Sequence, residues 1–386
     1  MFGVKNKKSI AFISPLVLPL LRDPPQAGPG GAERQFFLFG RALKRKGWSV
    51  CYVTDNNDPG KKEKTIMPVE LASFSFLRGG KRRILLDLIT IMYAMWRANS
   101  YYYVLKTPAY LLVPMHLFTW IFRRKLVFWA QMEFDAYPEL RPFKRTVSML
   151  LDMGTERADI ILAQNRSQVE GFKKNFGKEA KLIQNISGYL SGQNGQTNDT
   201  RERIDVLWVG NSMAKKRYEV VVALAKMLPD YSFALAMNKA DSARYLEAEA
   251  RCNLVDNIEF LGEVNQSEME TWYGKARLLL NTSTQEGFPN TYLQAWQHGM
   301  PVVSVCIDPD DVVSKYDLGI VIDKRLTRLS DGDEEQYAKK LITPVEKLLT
   351  DGLLYDRISQ NVRAYVSENH DETVLVGRLE KLLLEG

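Results

Sequence analysis

The sequence of 386 residues has few of the side chains that most often bind transition metals. It contains three histidines and three cysteines, and the latter are Cys51, Cys252 and Cys306. They are scattered along the chain and lack the short spacings of a zinc site. The composition therefore predicts reduced, buried thiols in a cytoplasmic protein and argues against a zinc centre.

Long hydrophobic runs are also missing. The longest apolar stretch, Ala109 to Phe122, falls short of the roughly 20 residues that a membrane-spanning helix needs. The basic and then apolar amino terminus is interpreted as a first strand over Ser9 to Ser14, because no small-residue cleavage site follows it cleanly. We expect a soluble or peripheral protein.

Acidic residues are scarce in the first half of the chain. Residues 1–190 contain 30 Lys and Arg against 15 Asp and Glu, a net charge of +15. Residues 191–386 contain 22 Lys and Arg against 31 Asp and Glu, a net charge of −9, so the whole chain has a net charge of +6. This asymmetry indicates an anionic partner for the first half. No recognised nucleic-acid-binding motif is found, so we predict an anionic membrane surface and no nucleic acid.

The length suits two domains. We predict an N-terminal Rossmann-like domain over residues 1–186 and a linker rich in Gly, Ser, Gln and Asn over 187–202. A second Rossmann-like domain is predicted over 203–366, and a terminal helix over 367–386. The fold class is therefore predicted as α/β.

One stretch, Asn281 to Val305, predicts a ligand site. It reads as the end of a buried strand, a loop over Thr282 to Asn290, a helix with Thr291 as its N-cap, and a further strand. A helix N-terminus at the carboxyl end of a parallel strand attracts phosphate, and the adjacent Glu286 suits hydroxyl groups. Phosphate and hydroxyls together describe a nucleotide sugar. The alternative is an ordinary strand, loop and helix with an exposed Glu.

The residues of this stretch resemble the nucleotide-sugar site of the large retaining glycosyltransferase family commonly numbered four, of the group 1 type. The resemblance rests on three segments, Glu286-Gly287-Phe288-Pro289-Asn290-Thr291, Gln294-Ala295-Trp296 and Gly299-Met300-Pro301-Val302-Val303-Ser304. It implies the GT-B fold, in which two Rossmann-like domains face each other across a cleft and the terminal helix crosses back to the first. It also implies a donor held mainly by the second domain, an acceptor held mainly by the first, and no metal ion or other cofactor.

Two positions depart from the family pattern. In relatives, an Arg follows the Gly of the first loop in the second domain, whereas here Asn211 follows Gly210. The second Glu of the motif is replaced by Gln294, which still offers an acceptor oxygen for the ribose. Lys216 matches the family Lys that binds the diphosphate. The donor-binding residues implied are Gly210, Asn211, Lys216, Glu286, Gly287, Phe288, Pro289, Asn290, Thr291 and Gln294.

The first half offers two further candidate elements. Gly30 and Gly31 end a Pro- and Gly-rich loop before a helix, and they resemble the glycine loop of the family. Glu133 and Asp135 follow a predicted strand, where a carboxylate can orient or deprotonate an acceptor hydroxyl. Solvated loop acids remain an alternative for this pair. The catalytic candidates are Glu286, Lys216, Glu133 and Asp135.

Two predicted helices, Gly79 to Trp96 and Tyr110 to Phe122, combine basic ends with apolar and aromatic faces. This pattern is typical of helices at a lipid interface, and the alternative is a pair of core helices. The acidic segment Asp308 to Asp311 invites a metal-site interpretation. The family resemblance argues against it, because relatives with this fold need no metal.

We therefore predict a metal-independent retaining glycosyltransferase that transfers a sugar from a nucleotide-diphosphate sugar. The acceptor is a hydroxyl of a saccharide or lipid-linked saccharide, in cell-surface polysaccharide or glycolipid biosynthesis. The protein is expected in the cytoplasm, with peripheral contact to the inner membrane face. Two alternatives stay open. One is a catalytically weak nucleotide-sugar-binding or scaffold protein, suggested by Asn211 and Gln294, and the other is a nucleotide-sugar epimerase of the same fold.

Overall fold

The computed structural model describes residues 6–14, 17–21, 30–55, 70–74, 81–106, 111–141, 143–188, 203–324 and 332–385. The chain divides into two compact units, Met1–Ile186 with Glu372–Gly386, and Ser187–Asp371. Each unit is built on a parallel sheet with helices, which confirms the predicted α/β class. Apart from Ser187 and Gly188, the predicted linker lies outside the described residues.

The first unit has seven described strands in the order β3-β2-β1-β4-β5-β6-β7. They are β1 (Ser9–Ile13), β2 (Ser49–Asp55), β3 (Glu70–Phe74), β4 (Tyr102–Leu105), β5 (Lys125–Trp129), β6 (Ile160–Ala163) and β7 (Ala180–Leu182). The helices before the second unit are α1 (Leu18–Leu21), α2 (Gly31–Arg45), α3 (Lys81–Ala98), α4 (Leu112–Ile121), α5 (Glu133–Ala136), α6 (Arg145–Arg157) and α7 (Arg166–Phe176). The central strands β1 and β4 are buried along their whole length, as parallel strands covered on both faces should be.

The second unit has six described strands in the order β10-β9-β8-β11-β12-β13. They are β8 (Ile204–Asn211), β9 (Phe233–Asn238), β10 (Ile258–Gly262), β11 (Ala276–Asn281), β12 (Val302–Ser304) and β13 (Gly319–Val321). The helices are α8 (Tyr218–Met227), α9 (Ser242–Cys252), α10 (Gln266–Lys275), α11 (Asn290–Gln297), α12 (Val312–Lys315), α13 (Glu334–Thr350) and α14 (Gly352–Asn369). Side-chain oxygens cap three of these helices, because Asp241, Asn265 and Asp351 accept from first-turn backbone N–H groups.

Both sheets have the strand order of a Rossmann fold. In each, the first strand of the unit lies beside the fourth, so β1 pairs with β4 and β8 pairs with β11. The chain connections leave these two strands toward opposite sides of the sheet. Ligands of open α/β sheets collect at the carboxyl ends of the strands at this switch point.

The last helix, α15 (Glu372–Glu385), belongs to the first unit, which confirms its predicted return. Its Glu372 accepts from Arg45 at 2.8 Å, and its Glu380 accepts from Lys8 at 3.1 Å and from Trp48 Nε1 at 3.0 Å. The helix begins at Glu372, after a break at His370, rather than at residue 367.

The two helices predicted at a lipid interface are present as α3 and α4. Helix α3 begins at Lys81 and α4 at Leu112, whereas Gly79 and Tyr110 lie outside the described residues. The side chains of the basic start of α3 also lie outside the described part of the chain. Every described helix is too short or too polar to cross a bilayer.

The pairing of β12 with β13 depends on a glycine. A Cβ at Gly319 would lie 1.9 Å from the carbonyl oxygen of Val302. We predict that Gly319→Ala lowers the free energy of unfolding by about 2 kcal/mol, since the backbone must move to relieve this overlap. Urea unfolding measures the loss. Gly377→Ala in α15 is the matched control, because the nearest atom to its added Cβ is 3.6 Å away and helix propensity favours Ala. Equal destabilisation by the two variants would contradict this explanation.

Candidate functional site

The site of the second unit lies at the carboxyl ends of β8 and β11. These strands are adjacent, with Leu280 of β11 paired to Trp208 of β8. The loop after β8 forms a 3-10 turn over Ala214–Lys216, and the loop after β11 leads into α11. Two loops that are far apart in sequence therefore meet at the switch point of the sheet.

Thr282 and Thr284 tie these two loops together. The buried hydroxyl of Thr282 accepts from Trp208 Nε1 at 2.9 Å and donates to the carbonyl of Lys216 at 2.6 Å. The backbone N–H of Thr284 donates to the carbonyl of Lys215 at 2.9 Å. These bonds fix the backbone from which the two lysine side chains extend.

Lys216 and Glu286 form an ion pair across the two loops. The ammonium of Lys216 donates to Oε1 of Glu286, and the two side chains are only 16% and 14% exposed. Burial alone would raise the pKa of Glu286, but the charges of Lys216 and Lys215 outweigh it and hold that pKa below its usual value. Burial lowers the pKa of Lys215, against the attraction of Glu286. Glu286 is therefore an anion at neutral pH, positioned between two lysines.

Helix α11 begins beside this pair. It starts at Asn290 with Pro289 as its N-cap, and no side chain caps it there. The prediction of Thr291 as N-cap is thus wrong, because the N-cap lies two residues earlier and Thr291 is in the first turn of the helix. The side chain of Phe288 is 5% exposed and packs on Trp296, so it belongs to the core of the second unit. Gly287 is also buried.

The side chains at the two positions that depart from the family pattern each accept a hydrogen bond from within the second unit. The side-chain oxygen of Asn211 accepts from the backbone N–H of Met213 at 3.2 Å. Gln294 is 6% exposed, and its Oε1 accepts from the hydroxyl of Tyr273 at 3.4 Å. A Cβ at Gly210 would lie 2.6 Å from the ring of Trp208, which explains the glycine there. The structure therefore gathers Lys216, Glu286 and the start of α11, and it turns Gln294 toward the interior.

The acidic segment after β12 has protein partners for its carboxylates. Asp308 accepts from the backbone N–H of Val313 at 2.8 Å and pairs with Lys324 at 3.0 Å. Asp311 pairs with the same lysine at 2.7 Å. The carboxylate of Asp308 thus accepts from first-turn N–H groups of the short helix α12.

Comparison with known families identifies this unit. Residues 203–347 match the sequence model described as "Glycosyl transferases group 1". The second unit carries a group 1 glycosyltransferase domain. The matched residues include both loops, the Lys216–Glu286 pair and α11. A comparison with curated protein sequences finds no match.

Solved structures extend the likeness beyond the group 1 domain. Sucrose-phosphate synthase from Thermosynechococcus elongatus has a TM-score of 0.74 at 17% identity, covering 98% of each chain. HepE from Anabaena, solved with UDP and glucose, has a TM-score of 0.69 at 16% identity and covers 97% of this chain and 98% of its own. WaaG, a glycosyltransferase of lipopolysaccharide biosynthesis, has a TM-score of 0.66 at 16% identity, covering 98% and 100%. At such identities the likeness establishes the fold, which is the predicted GT-B class.

Outside the group 1 domain, Gly30 and Gly31 mark the start of α2. Gly30 is its N-cap and has no side chain to cap it, and Gly31 is its first residue. The carboxylate of Glu33 folds back to this point, because a Cβ on Gly30 would lie 3.0 Å from its Oε2. The preceding residues of the predicted glycine loop, Gly28 and Pro29, lie outside the described part of the chain.

Glu133 and Asp135 lie on the short helix α5, and both carboxylates accept hydrogen bonds from the protein. Glu133 accepts from Asn165 Nδ2 at 2.6 Å and from the hydroxyl of Ser167 at 2.9 Å. Asp135 is 1% exposed and accepts from the backbone N–H groups of Gln131 and Met132. Burial raises the pKa of Asp135 to about 6. Asp135 therefore stabilises its own loop, whereas Glu133 is half-buried.

Lys106 directly follows β4 and is not among the site residues predicted from the sequence. Its side chain is 1% exposed, and its ammonium lies 4.5 Å from the ring centroid of Trp129 and 5.1 Å from that of Phe36. Within the described residues, neither this ammonium nor Trp129 Nε1 has a hydrogen-bond partner. Burial lowers the pKa of Lys106 to about 7, against the attraction of Glu33. A charged residue at the carboxyl end of an apolar strand was the signal in the sequence.

We predict that Lys106→Met stabilises the protein most at acidic pH. The pKa of Lys106 falls from 10.5 in the unfolded chain to about 7 in the fold, so folding expels a proton. The stability of the wild-type protein should therefore rise with pH, chiefly between about 7 and 10.5, relative to the variant. Urea unfolding at a series of pH values measures this difference. If the difference in free energy of unfolding between the wild type and the variant stayed constant across that range, the Lys106 ammonium could not be buried without a strong partner.

Proposed function

We propose that this protein is a retaining glycosyltransferase that moves a sugar from a nucleotide-diphosphate sugar to a hydroxyl of a saccharide or lipid-linked saccharide. One observation carries the proposal. Lys216 and Glu286 meet at the switch point of the second sheet, beside the start of α11. A cation and a helix N-terminus fit a diphosphate, whereas a carboxylate fits sugar hydroxyls.

The leaving group is the nucleoside diphosphate, which gains negative charge as the bond to the sugar breaks. The ammonium of Lys216 has three donors, so it can hold Glu286 and a phosphate oxygen at the same time. The dipole of α11 adds further positive potential at the same place. These fixed charges would stabilise the departing diphosphate, and we propose a reaction that needs no metal ion.

Ligands named for proteins of the same fold support a nucleotide-sugar donor. HepE was solved with UDP and glucose, and the pneumococcal transferase GtfA was solved with UDP and GlcNAc. In this chain the carboxylate of Glu286 would bind the sugar hydroxyls. Because Gln294 bonds to Tyr273, its carboxamide would have to turn to reach a ribose.

The acceptor would bind to the first unit. Glu133 is the carboxylate proposed to face its hydroxyl, with Asn165 and Ser167 holding the side chain in place. The net charge of +15 in residues 1–190 supports a peripheral position on an anionic membrane, in the cytoplasm. A lipid-linked acceptor and a role in cell-surface polysaccharide or glycolipid synthesis are consistent with that position.

A second candidate function is nucleotide-sugar binding without turnover. Asn211 places a neutral side chain where the family pattern has an Arg, and that side chain is bonded to Met213. Gln294 is buried against Tyr273. Both features would lower the affinity for the nucleotide-sugar donor, and a scaffold protein would tolerate this loss.

The donor site is tested by thermal shift with UDP, GDP, ADP and their common sugars. A ligand at one hundred times its dissociation constant adds about 2.7 kcal/mol of stability, so one nucleotide should raise the melting temperature clearly. We predict that Lys216→Ala and Glu286→Ala each remove this shift, because each removes half of the pair that meets the donor. Lys226→Ala, an exposed lysine on α8, is the matched control and should keep the shift.

Turnover separates the two candidate functions. A transferase releases nucleoside diphosphate when donor and a saccharide acceptor are mixed, and its product keeps the anomeric configuration of the donor by proton NMR. A rise in melting temperature without release of nucleoside diphosphate would favour the nucleotide-sugar-binding protein. The absence of a shift with every nucleotide would refute the proposed donor site.

A further inference from the structure

The first unit contains a pocket that is lined by none of the predicted site residues. It has a volume of about 330 Å³ and is lined by Trp96, Arg97, Asn99, Tyr103, Phe118, Phe122 and Arg124. Asn99 precedes β4 and Arg124 precedes β5, so the pocket lies at the amino ends of these strands. This edge of the sheet is opposite to the one that holds Lys106 and α5. Nothing in the proposed transfer reaction uses it.

The pocket is cationic. Arg124 is 8% exposed, and its Nη2 donates to the side-chain oxygen of Asn99 at 2.8 Å. Arg97 lies on the exposed end of α3. No acidic residue lines the pocket. Two guanidinium groups in an aromatic-walled recess suit a phosphate, which Arg binds with paired hydrogen bonds.

Large apolar side chains are exposed on α3 and α4, the two helices that contribute Trp96, Arg97 and Phe118 to the pocket. We name this group the aromatic collar, and its members with their exposed fractions are Ile89 (63%), Tyr93 (56%), Trp96 (47%), Leu117 (48%), Trp120 (71%) and Ile121 (52%). The rings of Tyr93 and Trp96 stack with centroids 6.0 Å apart. An exposed patch of this kind marks an interaction site. Trp and Tyr beside Arg are typical of the layer where lipid headgroups meet acyl chains.

We propose that this pocket binds the phosphate of an anionic phospholipid, with the aromatic collar lying in the headgroup layer. A lipid fits better than a protein partner for two reasons. The guanidinium groups stand next to exposed apolar rings, so one ligand must offer phosphate and hydrocarbon together. The net charge of +15 in residues 1–190 also favours an anionic surface. The inference rests on the proposed membrane contact and does not depend on sugar transfer.

The test compares two variants that lose the same charge in the same region. Arg97→Gln removes a guanidinium that lines the pocket. Arg123→Asn removes an exposed guanidinium outside it, and Asn tolerates the left-handed backbone there (φ 52°). Full-length protein is sedimented with vesicles of phosphatidylcholine, with and without phosphatidylglycerol. Arg123→Asn should weaken binding to the anionic vesicles about fivefold, the general effect of one basic residue at an anionic surface. Arg97→Gln should weaken it by more than about tenfold, because charge-assisted hydrogen bonds are also lost.

Two further measurements complete the test. Soluble glycerol 3-phosphate should compete with anionic vesicles for the pocket. Trp120→Ser should reduce binding to vesicles but leave this competition unchanged, because the variant alters the aromatic collar and spares the pocket. The thermal shift with the nucleotide donor should be unchanged in Arg97→Gln, so failure of this inference is distinct from failure of the donor site. Equal losses in Arg97→Gln and Arg123→Asn would overturn the phosphate pocket. Absence of binding to both kinds of vesicle would mean that a protein or a second copy covers the collar, and would also overturn it.

Discussion

The site of this protein depends on the ion pair between Lys216 and Glu286, which links two loops separated by a long stretch of sequence. The hydroxyl of Thr282 fixes the carbonyl of Lys216, and the indole of Trp208 fixes Thr282. Because the pair is largely buried, removing Glu286 would leave the Lys216 ammonium without its carboxylate partner. The pair would therefore organise the proposed donor site before a ligand binds.

The sheet topology explains why the pair forms where it does. Strands β8 and β11 are neighbours only because the chain reverses its strand order between them. The loops that follow them are brought to the same edge, together with the start of α11. The first unit repeats this arrangement, and at its carboxyl edge lie Lys106, Trp129 and Glu133. Each unit thus presents polar groups at the end of the sheet where ligands bind in this class of fold.

Much of the second unit could be predicted from the sequence, because its signals are local. The run from Ala276 to Asn281 is an apolar strand, and Gly299 and Pro301 mark the end of α11. Glu286 and Lys216 were predicted from the resemblance of their loops to the group 1 glycosyltransferase family. The contact between Lys216 and Glu286 depends on β8 and β11 being adjacent in the sheet. The hydrophobic periodicity of the sequence does not indicate which strands are adjacent.

Other features depend on tertiary packing and could not be predicted. Glu133 and Asp135 look alike in sequence, yet only the folded chain shows that Asp135 is enclosed while Glu133 is half-buried. The interior position of Gln294 follows from its contact with Tyr273, which lies on another helix. The Arg97 and Arg124 pocket requires two helices to pack at the amino edge of the first sheet, and no single segment signals it.

The most direct test of the donor site is a crystal structure of the protein with a bound nucleoside diphosphate. The diphosphate should lie within hydrogen-bonding distance of Lys216 Nζ and of the first-turn N–H groups of α11, with Glu286 turned toward the position of the sugar. A diphosphate bound elsewhere, with the Lys216–Glu286 pair undisturbed, would contradict the assignment of this pair as the donor site.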